Sequence, residues 1–347
     1  MMNLQHSSEQ DMLRDSLAAA FARSDAKGAD WGPVLAAQGA LALLTPEDLG
    51  GLGLGMVDAT VAAVEAGRAC LDYPLADTML MAGALAVASP DMADELAEGR
   101  LTIVAPSSGR FGLTADRLVG TVKVSHPELA DWLAAPVGDD RVALVRPADL
   151  EIKRNVTVDP AISTATIRVD MNMNLVPTHS VELVEEKLAL LRCADLLGAA
   201  EFCFETGIQY IKDRRQFGQP IGANQALKHM AADCFVELEN CRVAIDYAAA
   251  ILDQAANSPA ARVLAQEAVS VALCCAPLAA RRIAEEAIQF HGGIGVTWEY
   301  PLNRYLRRIL RVSQSMGRIG DHQRRLLCQV VQSTGWQDDK TKQARSA

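Results

Sequence analysis

Residues 289–308 of the chain read QFHGGIGVTWEYPLNRYLRR. The stretch opens with Gln289 and then has three glycines within four positions, at the point where a long apolar helical pattern ends. Glycine removes side chains there, so that backbone amides can approach a bound group closely, as they do in nucleotide-binding loops. A helix end followed by an ordinary turn needs the same glycines. This loop therefore indicates a ligand only together with a second motif.

The second motif lies upstream, where residues 213–229 read DRRQFGQPIGANQALKH. Pro220 stops a helix, and Gly218 and Gly222 give the permissive backbone angles of a turn. Arg214 stands beside this turn, and its rigid fork of hydrogen-bond donors suits an anionic group. A capping arginine and an ordinary packed turn explain the same residues when the motif is taken alone.

Taken together, in this order and at this distance, the two motifs resemble the acyl-CoA dehydrogenase family. The resemblance covers most of the chain and is strongest over residues 190–308. It implies that the chain binds flavin adenine dinucleotide (FAD) at an interface between subunits. Arg214 would reach the pyrophosphate of an FAD held mainly by the neighbouring subunit, and Phe217 and Gln225 would lie along the same cofactor. The residues that would contact the adenosine diphosphate part of FAD are Gln289, Gly292 and Gly293.

Composition and charge narrow the class of protein. The 347 residues exceed the usual size of one hydrophobic core, which favours two or three domains. A net charge of −10 argues against a nucleic-acid partner. The eight cysteines form no C-x-x-C pattern, so we expect reduced thiols and no metal site. No apolar run approaches the roughly 18–20 residues that cross a bilayer, and the start of the chain lacks a signal-peptide pattern, which predicts a cytoplasmic protein without a membrane partner.

Three segments differ in their hydrophobic periodicity. Residues 1–100 contain Ala-rich amphipathic runs, which predict an N-terminal all-α domain. Residues 101–180 contain short alternating runs of β-branched residues, which predict a small middle β domain. Residues 181–347 contain long helical patterns joined by short links, which predict an antiparallel four-helix bundle. A mainly α protein with this order of domains is also what the resemblance to acyl-CoA dehydrogenases implies.

The chain lacks the catalytic base of acyl-CoA dehydrogenases at both positions where the family carries it. Oxidising an acyl-CoA thioester to its 2-enoyl form requires a base at the α-carbon, while hydride leaves the β-carbon for the flavin. In the family this base is a Glu, and the two positions at which it occurs correspond here to Met316 and Leu188. Glu186 is a weak candidate for the base. Its position close to Leu188 favours it, but it also fits an acidic first helical turn, which is a structural role. Asp195, two turns farther along, is weaker still.

The middle segment also departs from the family pattern. Acyl-CoA dehydrogenases usually carry a T-E-P-x-x-G-S-D segment and a W-I-T/S segment, which bind the flavin ring. Here residues 105–109 match the first segment only in part, and the second segment has no counterpart. The part that would hold this chain's own flavin ring is therefore degraded, whereas the motifs that reach a neighbour's flavin are intact.

Four charged residues that follow the glycine loop could have either a structural or a functional role. Arg304, Arg307 and Arg308 lie at i, i+3 and i+4 and so share one helix face. They either pack against an acidic helix or contact a ligand phosphate. Glu299, which precedes Tyr300, is expected to be structural rather than catalytic.

The chain lacks the base and the flavin-ring segments but keeps the motifs that reach a neighbour's flavin. In this it resembles the non-base subunit of heterotetrameric (α2β2) acyl-CoA dehydrogenases that shorten steroid side chains. The resemblance implies an FAD-dependent oxidoreductase that acts on the CH–CH group of a bulky CoA thioester in lipid or steroid degradation. It also implies a second acyl-CoA dehydrogenase subunit and an electron-acceptor flavoprotein as partners. Two alternatives stay open. One is a self-sufficient dehydrogenase, such as a homotetramer, with a relocated base such as Glu186, and the other is a structural homologue without flavin.

Overall fold

A computed structural model describes residues 6–23, 30–114, 117–137, 141–172, 178–255, 258–298 and 300–334. Glu299, expected to be structural, lies outside these ranges. The described part of the chain begins with five helices, continues with a segment of strands and ends with helices again. This order agrees with the periodicity of the sequence.

The N-terminal helices are α1 (Ser8–Arg23), α2 (Trp31–Ala37), α3 (Met56–Arg68), α4 (Leu75–Leu85) and α5 (Pro90–Ala97). The start of α3 is held by a carboxylate from far along the chain. Asp253 accepts hydrogen bonds from the backbone amides of Met56, at 2.6 Å, and Val57, at 3.3 Å. These amides have no partner within their own helix, so Asp253 caps α3.

The middle strands are β1 (Ile103–Val104), β2 (Ser108–Thr114), β3 (Arg117–Ser125), β4 (Trp132–Pro136), β5 (Arg141–Val145), β6 (Glu151–Asn155), β7 (Thr164–Asn172) and β8 (Thr178–Ser180). They form two four-stranded sheets, with the strand orders β1-β4-β5-β8 and β2-β3-β7-β6. All pairs are antiparallel except β1 with β4. Both sheets contribute buried residues to one apolar core, among them Leu118, Leu133 and Ile167.

The C-terminal helices are α6 (Val184–Asp213), α7 (Gln225–Gln254), α8 (Pro259–His291), α9 (Leu302–Gln314) and α10 (Ile319–Thr334). The predicted fold class is confirmed: a mainly α protein with a small β segment between two helical segments. Buried residues of the first and last segments belong to the same core, for example Leu17, Met79 and Leu197. Because these two segments share a core, the division into domains at 100 and 180 stays a prediction.

Helices α3 and α6 approach each other closely at two glycines. A Cβ atom at Gly67 would lie 2.0 Å from the carbonyl oxygen of Asp195, and one at Gly198 would lie 1.8 Å from that of Val64. Neither position has room for any side chain, because both contacts are with backbone atoms. The crossing fixes the N-terminal helices against the C-terminal bundle.

Contrary to the expectation that no apolar run approaches the length of a membrane span, helix α8 begins such a run. By length and composition, Pro259–Val296 is apolar enough to cross a membrane, with a mean hydropathy of 1.7. However, 56% of its most apolar window is buried inside the protein. Its buried residues, such as Leu273 and Ile283, pack in the core shared by the helices. The run is therefore explained by the position of α8 in the core.

Candidate functional site

A sharp turn after helix α6 presents Arg214 and Phe217 to solvent. The backbone leaves the helix at Arg214, and two short strands, β9 (Arg215–Gln216) and β10 (Gln219–Pro220), pair across the turn. Phe217 and Gly218 both take positive φ angles, of 50° and 83°, as a tight two-residue turn of this hand requires. In that region a residue with a side chain is strained by roughly 1–2 kcal/mol. The Phe217 ring is nevertheless fully exposed.

This turn and the glycine loop meet around one surface cavity of about 370 Å³, here called the outer cavity. Arg214 and Phe217 line it from the turn, and Gln289 and Gly292 line it from the end of helix α8. Two motifs that are far apart in the sequence thus share one site. Four of the six residues predicted to bind the cofactor are brought together.

The other two predicted residues, Gln225 and Gly293, do not line the outer cavity. Each is next in the chain to a residue that does, Asn224 and Gly292 respectively. A Cβ atom added at Gly292 or Gly293 would meet nothing within 4 Å. The φ angle of 62° at Gly292 also favours glycine there. The backbone of this loop is therefore open to a bound group.

His291 holds the glycine loop in place. Its Nδ1 lies 2.7 Å from the carbonyl oxygen of Ala287, which can only accept, so Nδ1 donates. The second ring nitrogen then accepts from the hydroxyl of Tyr300 at 2.9 Å. Burial lowers the pKa of His291, which favours this neutral form. The ring also stacks on Tyr210, with centroids 4.0 Å apart. The sequence alone does not show this role of His291, because the role depends on contacts between separate elements.

A second cavity, of about 410 Å³ and here called the central cavity, lies between strand β2 and helices α6, α8 and α10. Leu188 and Met316, the two positions expected for the family's base, both line it. Both side chains are buried, and neither can accept a proton. Residues 106–109 line the same cavity, and they belong to the partial match to the family's flavin-ring segment.

Glu186 also lines the central cavity. Its carboxylate accepts a hydrogen bond from Nε2 of Gln266 at 3.2 Å. Burial raises the pKa of Glu186, which is the direction that suits a base working near neutral pH. Among the described residues no ion pair involves it, whereas the neighbouring Glu185 pairs with Arg110 at 2.8 Å. Glu186 therefore keeps the chemical properties of a candidate base.

Asp195 is engaged by another side chain. Both of its carboxylate oxygens accept hydrogen bonds from the guanidinium of Arg308, one of them from Nε at 3.1 Å. Arg308 is buried and also donates to the carbonyl oxygen of Leu71 at 2.6 Å. A carboxylate that compensates a buried charge in this way is structural. The geometry therefore argues against Asp195 as the base.

Arg304 and Arg307, which lie on the same helix as Arg308, also pack against other parts of the chain. Arg304 donates to the carbonyl oxygen of Cys70 at 2.8 Å, and Arg307 donates to that of Val158 at 3.1 Å. The guanidinium of Arg307 lies over the ring of Trp298, 4.2 Å from its centroid. These contacts favour packing over contact with a ligand phosphate, but among the described residues only Arg308 of the three arginines packs against an acidic side chain, that of Asp195 on helix α6.

Several basic side chains that were not among the predicted site residues line the central cavity. Arg318, His322 and Arg325 line it from the segment of helix α10, and Arg192 lines it from α6. The sequence contains a signal for three of them. Residues 318, 322 and 325 are spaced four and three apart, so these basic side chains share one helix face. His322 lies 2.7 Å from the carbonyl oxygen of Met316 through Nε2, which ties that residue to the helix.

The thiols do not assemble into a site. All eight cysteines are free, five are buried, two are half-buried, and Cys328 is exposed. Burial raises the pKa of the Cys70 thiol, so it stays protonated and unreactive. Over the described ranges, no group of three or more His, Cys, Asp or Glu side chains is arranged to hold a metal ion.

Comparison with known proteins gives matches over most of the chain. The family model described as acyl-CoA dehydrogenase, N-terminal domain, matches residues 7–95, and that described as acyl-CoA dehydrogenase, C-terminal domain, matches residues 185–324. The acyl-CoA dehydrogenase IpdE2 of Mycobacterium tuberculosis is 32% identical over 342 residues, which cover 94% of this chain and 98% of the relative.

Two solved structures share the fold over nearly their whole length. The ChsE4-ChsE5 complex of Mycobacterium tuberculosis contains a chain with a TM-score of 0.80 and 21% identity, covering 95% of this chain and 99% of that one. A variant of the Tcur3481-Tcur3483 steroid ACAD has a TM-score of 0.79 and 23% identity, covering 94% of this chain and 99% of that one.

Proposed function

Because this chain belongs to the acyl-CoA dehydrogenase family, we propose that it is a subunit of a heteromeric acyl-CoA dehydrogenase and completes the FAD site of a partner chain. One contrast carries the proposal. The outer cavity presents a guanidinium and bare backbone to the outside of the chain, whereas the central cavity has apolar side chains at both positions of the family's base. Such a chain can hold a cofactor without removing a proton.

The residues around the outer cavity suit the pyrophosphate of FAD. The guanidinium of Arg214 is exposed and can donate two hydrogen bonds to phosphate oxygens. The open space beside Gly292 and Gly293 lets backbone amides approach the same anion. The exposed ring of Phe217 offers an apolar face to the cofactor. FAD, when bound, accepts the hydride that leaves the β-carbon of the thioester. Gln289 lines the same cavity, and Gln225 follows Asn224, which also lines it, so both amide side chains are assigned to contacts with FAD.

The partner chain would supply the base. Leu188 and Met316 cannot take a proton from the α-carbon, so this step is assigned to a carboxylate of a second acyl-CoA dehydrogenase subunit in an α2β2 assembly. Similarity to the ChsE4-ChsE5 complex and to the Tcur3481-Tcur3483 steroid ACAD supports a complex of two chains and a steroid-type CoA thioester. An electron-acceptor flavoprotein would then reoxidise the cofactor.

The experiment that tests this proposal uses the complex formed with a second acyl-CoA dehydrogenase chain that copurifies with this one. Arg214→Ala is expected to remove most of the FAD from the complex, as measured by visible flavin absorbance, while the assembly stays intact on size-exclusion chromatography. The matched control is Arg215→Ala, because Arg215 is also exposed but does not line the outer cavity. Equal FAD content in both variants would reject the cofactor assignment. A wild-type complex that takes up no FAD would favour the flavin-free homologue.

A self-sufficient dehydrogenase with Glu186 as its base is the second candidate. It is favoured by one observation: Glu186 lines the central cavity with a raised pKa. Glu186→Gln should then abolish dye reduction by the chain purified alone. The control is Glu182→Gln, because Glu182 forms a surface ion pair with Arg262 and lies outside the cavity lining. If the chain alone shows no turnover, the second candidate is rejected.

A further inference from the structure

The chain contains a third cavity, of about 380 Å³, which is separate from the two described above and is here called the lateral cavity. It lies between helix α4, the beginning of α6, the end of α7 and the segment that leads into α3. It shares no lining residue with the outer or the central cavity. Neither the FAD contacts nor the missing base therefore explains it.

The lining of the lateral cavity is mostly apolar, and among the described residues it contains one amino group. Leu54, Leu80 and Leu252 line it from three separate parts of the chain, and Lys187 of helix α6 supplies the amine. Lys187 is half-buried. An ammonium group loses part of its hydration in such a place, so the surroundings favour the neutral amine.

No carboxylate holds Lys187 in its charged form. Within the described ranges, its Nζ makes no ion pair and no hydrogen bond. Two carboxylates line the same cavity, but both are engaged elsewhere. Glu182 pairs with Arg262, and Asp253 accepts the two backbone amides at the start of helix α3. The amine is therefore available to a reagent that enters the cavity.

The position of Lys187 in its helix has the same effect. It is the fourth residue of α6, and the helix dipole disfavours a positive charge in the first turn. The acidic residues of this turn, Glu185 and Glu186, line the central cavity instead. Burial lowers the pKa of Lys187, against smaller opposite effects of Glu182 and Asp253. A larger share of neutral amine makes a lysine more nucleophilic.

We propose that Lys187 is acylated by an acyl thioester and that the acyl group enters the lateral cavity. The neutral amine attacks the carbonyl carbon of the thioester. A carbon–nitrogen bond forms as the carbon–sulfur bond breaks, and one proton of the amine leaves with the thiolate as a free thiol. Nothing is oxidised or reduced, and the product is an amide on Lys187.

Two observations favour an acyl thioester over other electrophiles. The chain belongs to the acyl-CoA dehydrogenase family, so acyl-CoA thioesters are the electrophiles to which it is exposed. The apolar walls formed by Leu54, Leu80 and Leu252 suit an acyl chain. The inference rests on membership of the family and does not require the proposed role as a subunit without a base.

Peptide mass spectrometry of the full chain, incubated with octanoyl-CoA near neutral pH, tests the proposal. Lys212 and Lys228 are exposed and serve as internal controls, because they compete for the same reagent in the same sample. We expect Lys187 to be acylated faster than either of them, although it is less accessible. The acylated chain should also unfold at a higher urea concentration, because the acyl group fills the cavity and a disfavoured charge is removed.

A matched pair of variants tests the role of the cavity. Leu54→Glu should slow the acylation of Lys187 about tenfold, because a carboxylate in the lining favours the charged amine. Leu52→Glu is the control and should leave the rate unchanged. Leu52 is 42% exposed and Leu54 is 40% exposed, but Leu52 does not line the cavity.

Three results would overturn the proposal. One is acylation of Lys187 that is no faster than that of Lys228, and another is equal slowing by Leu54→Glu and Leu52→Glu. The third is an acylated chain that unfolds at a lower urea concentration than the unmodified chain, since the acyl group would then lie outside the cavity. Arg214→Ala should reduce FAD content in the complex and leave the acylation of Lys187 unchanged, so this proposal and the proposed function can fail separately.

Discussion

Leu188 of helix α6 and Met316, which follows helix α9, line the same central cavity. Their side chains are only 4% and 7% exposed. The resemblance to acyl-CoA dehydrogenases places the base at one of these two positions, and their meeting at one cavity explains why either position serves the same chemistry. In this chain both residues are apolar, so neither of the two positions provides a base.

Met316→Glu is expected not to make the chain active on its own. The new carboxyl group would enter the central cavity, but the residues assigned to FAD face the outer cavity. A base without a hydride acceptor cannot complete the reaction. The measurement is acyl-CoA-dependent dye reduction, with Met316→Gln as a control of similar size. Turnover by Met316→Glu alone would contradict the assignment of the two cavities.

Phe217→Gly is expected to separate stability from cofactor binding. Phe217 is fully exposed and has a φ angle of 50°, so glycine relieves backbone strain while making the unfolded chain more flexible. We expect the free energy of unfolding of the chain to rise by up to about 1 kcal/mol. FAD should dissociate faster from the complex, because the aromatic face is lost.

Urea unfolding and stopped-flow dissociation of FAD measure the two effects of Phe217→Gly. Gly218→Ala is the matched control, since its φ angle of 83° makes an added side chain unfavourable by about 1 kcal/mol. If Phe217→Gly holds FAD as tightly as the wild type, the exposed ring has no part in the cofactor site.

Removing one partner of the Asp195–Arg308 pair is expected to destabilise the chain strongly. Arg308 is buried, and Arg308→Met would leave the Asp195 carboxylate without its counter-charge. The expected loss is about 3–5 kcal/mol. The double variant Asp195→Leu with Arg308→Met should lose less than the sum of the single variants, because no charge is left unpaired. Urea unfolding of the three variants gives these values, and simple additivity would show that the pair does not interact.

Glu65 of helix α3 is expected to make stability depend on pH. Burial raises the pKa of Glu65 from 4.5 to about 7. The folded-state pKa lies above the unfolded one, so folding favours the protonated carboxyl. This stabilisation is complete below pH 4.5 and is lost as the pH rises to about 7. Glu65→Gln should therefore be more stable than the wild type above about pH 7, with a flatter profile below it.

Urea unfolding across this pH range tests the role of Glu65. Part of the slope should persist in Glu65→Gln, because burial also raises the pKa of Asp246 to about 6. Asp246→Asn in the same background should flatten the profile further. An unchanged slope in Glu65→Gln would show that its carboxyl does not titrate in this range.

The fold was largely predictable from local patterns. Periodicity predicted long helices after residue 181, and helices α6, α7 and α8 lie there, since their apolar faces repeat through thirty residues or more. The middle strands followed from alternation of β-branched residues. The sharing of one core by the first and last segments was not predictable, because it depends on contacts such as that between Gly198 and Val64.

The candidate site was predictable only where it lies in a contiguous motif. Arg214 and Gln289 were identified from their motifs, but their meeting at one cavity follows from the packing of α6 and α8. Asp195 had looked like a weak candidate base because the sequence does not show its contact with Arg308. Arg318 and Arg325 share a helix face in the sequence, yet nothing there shows that this face borders a cavity.

The ratio of FAD to protein, measured together with acyl-CoA turnover, tests the central claim most directly. The chain is purified alone and in complex with the second acyl-CoA dehydrogenase chain that copurifies with it. We predict that the chain alone holds no FAD and reduces no dye, while the complex turns over acyl-CoA and contains fewer FAD molecules than chains. A chain that is yellow on its own, holds one FAD per chain and oxidises acyl-CoA would contradict the account.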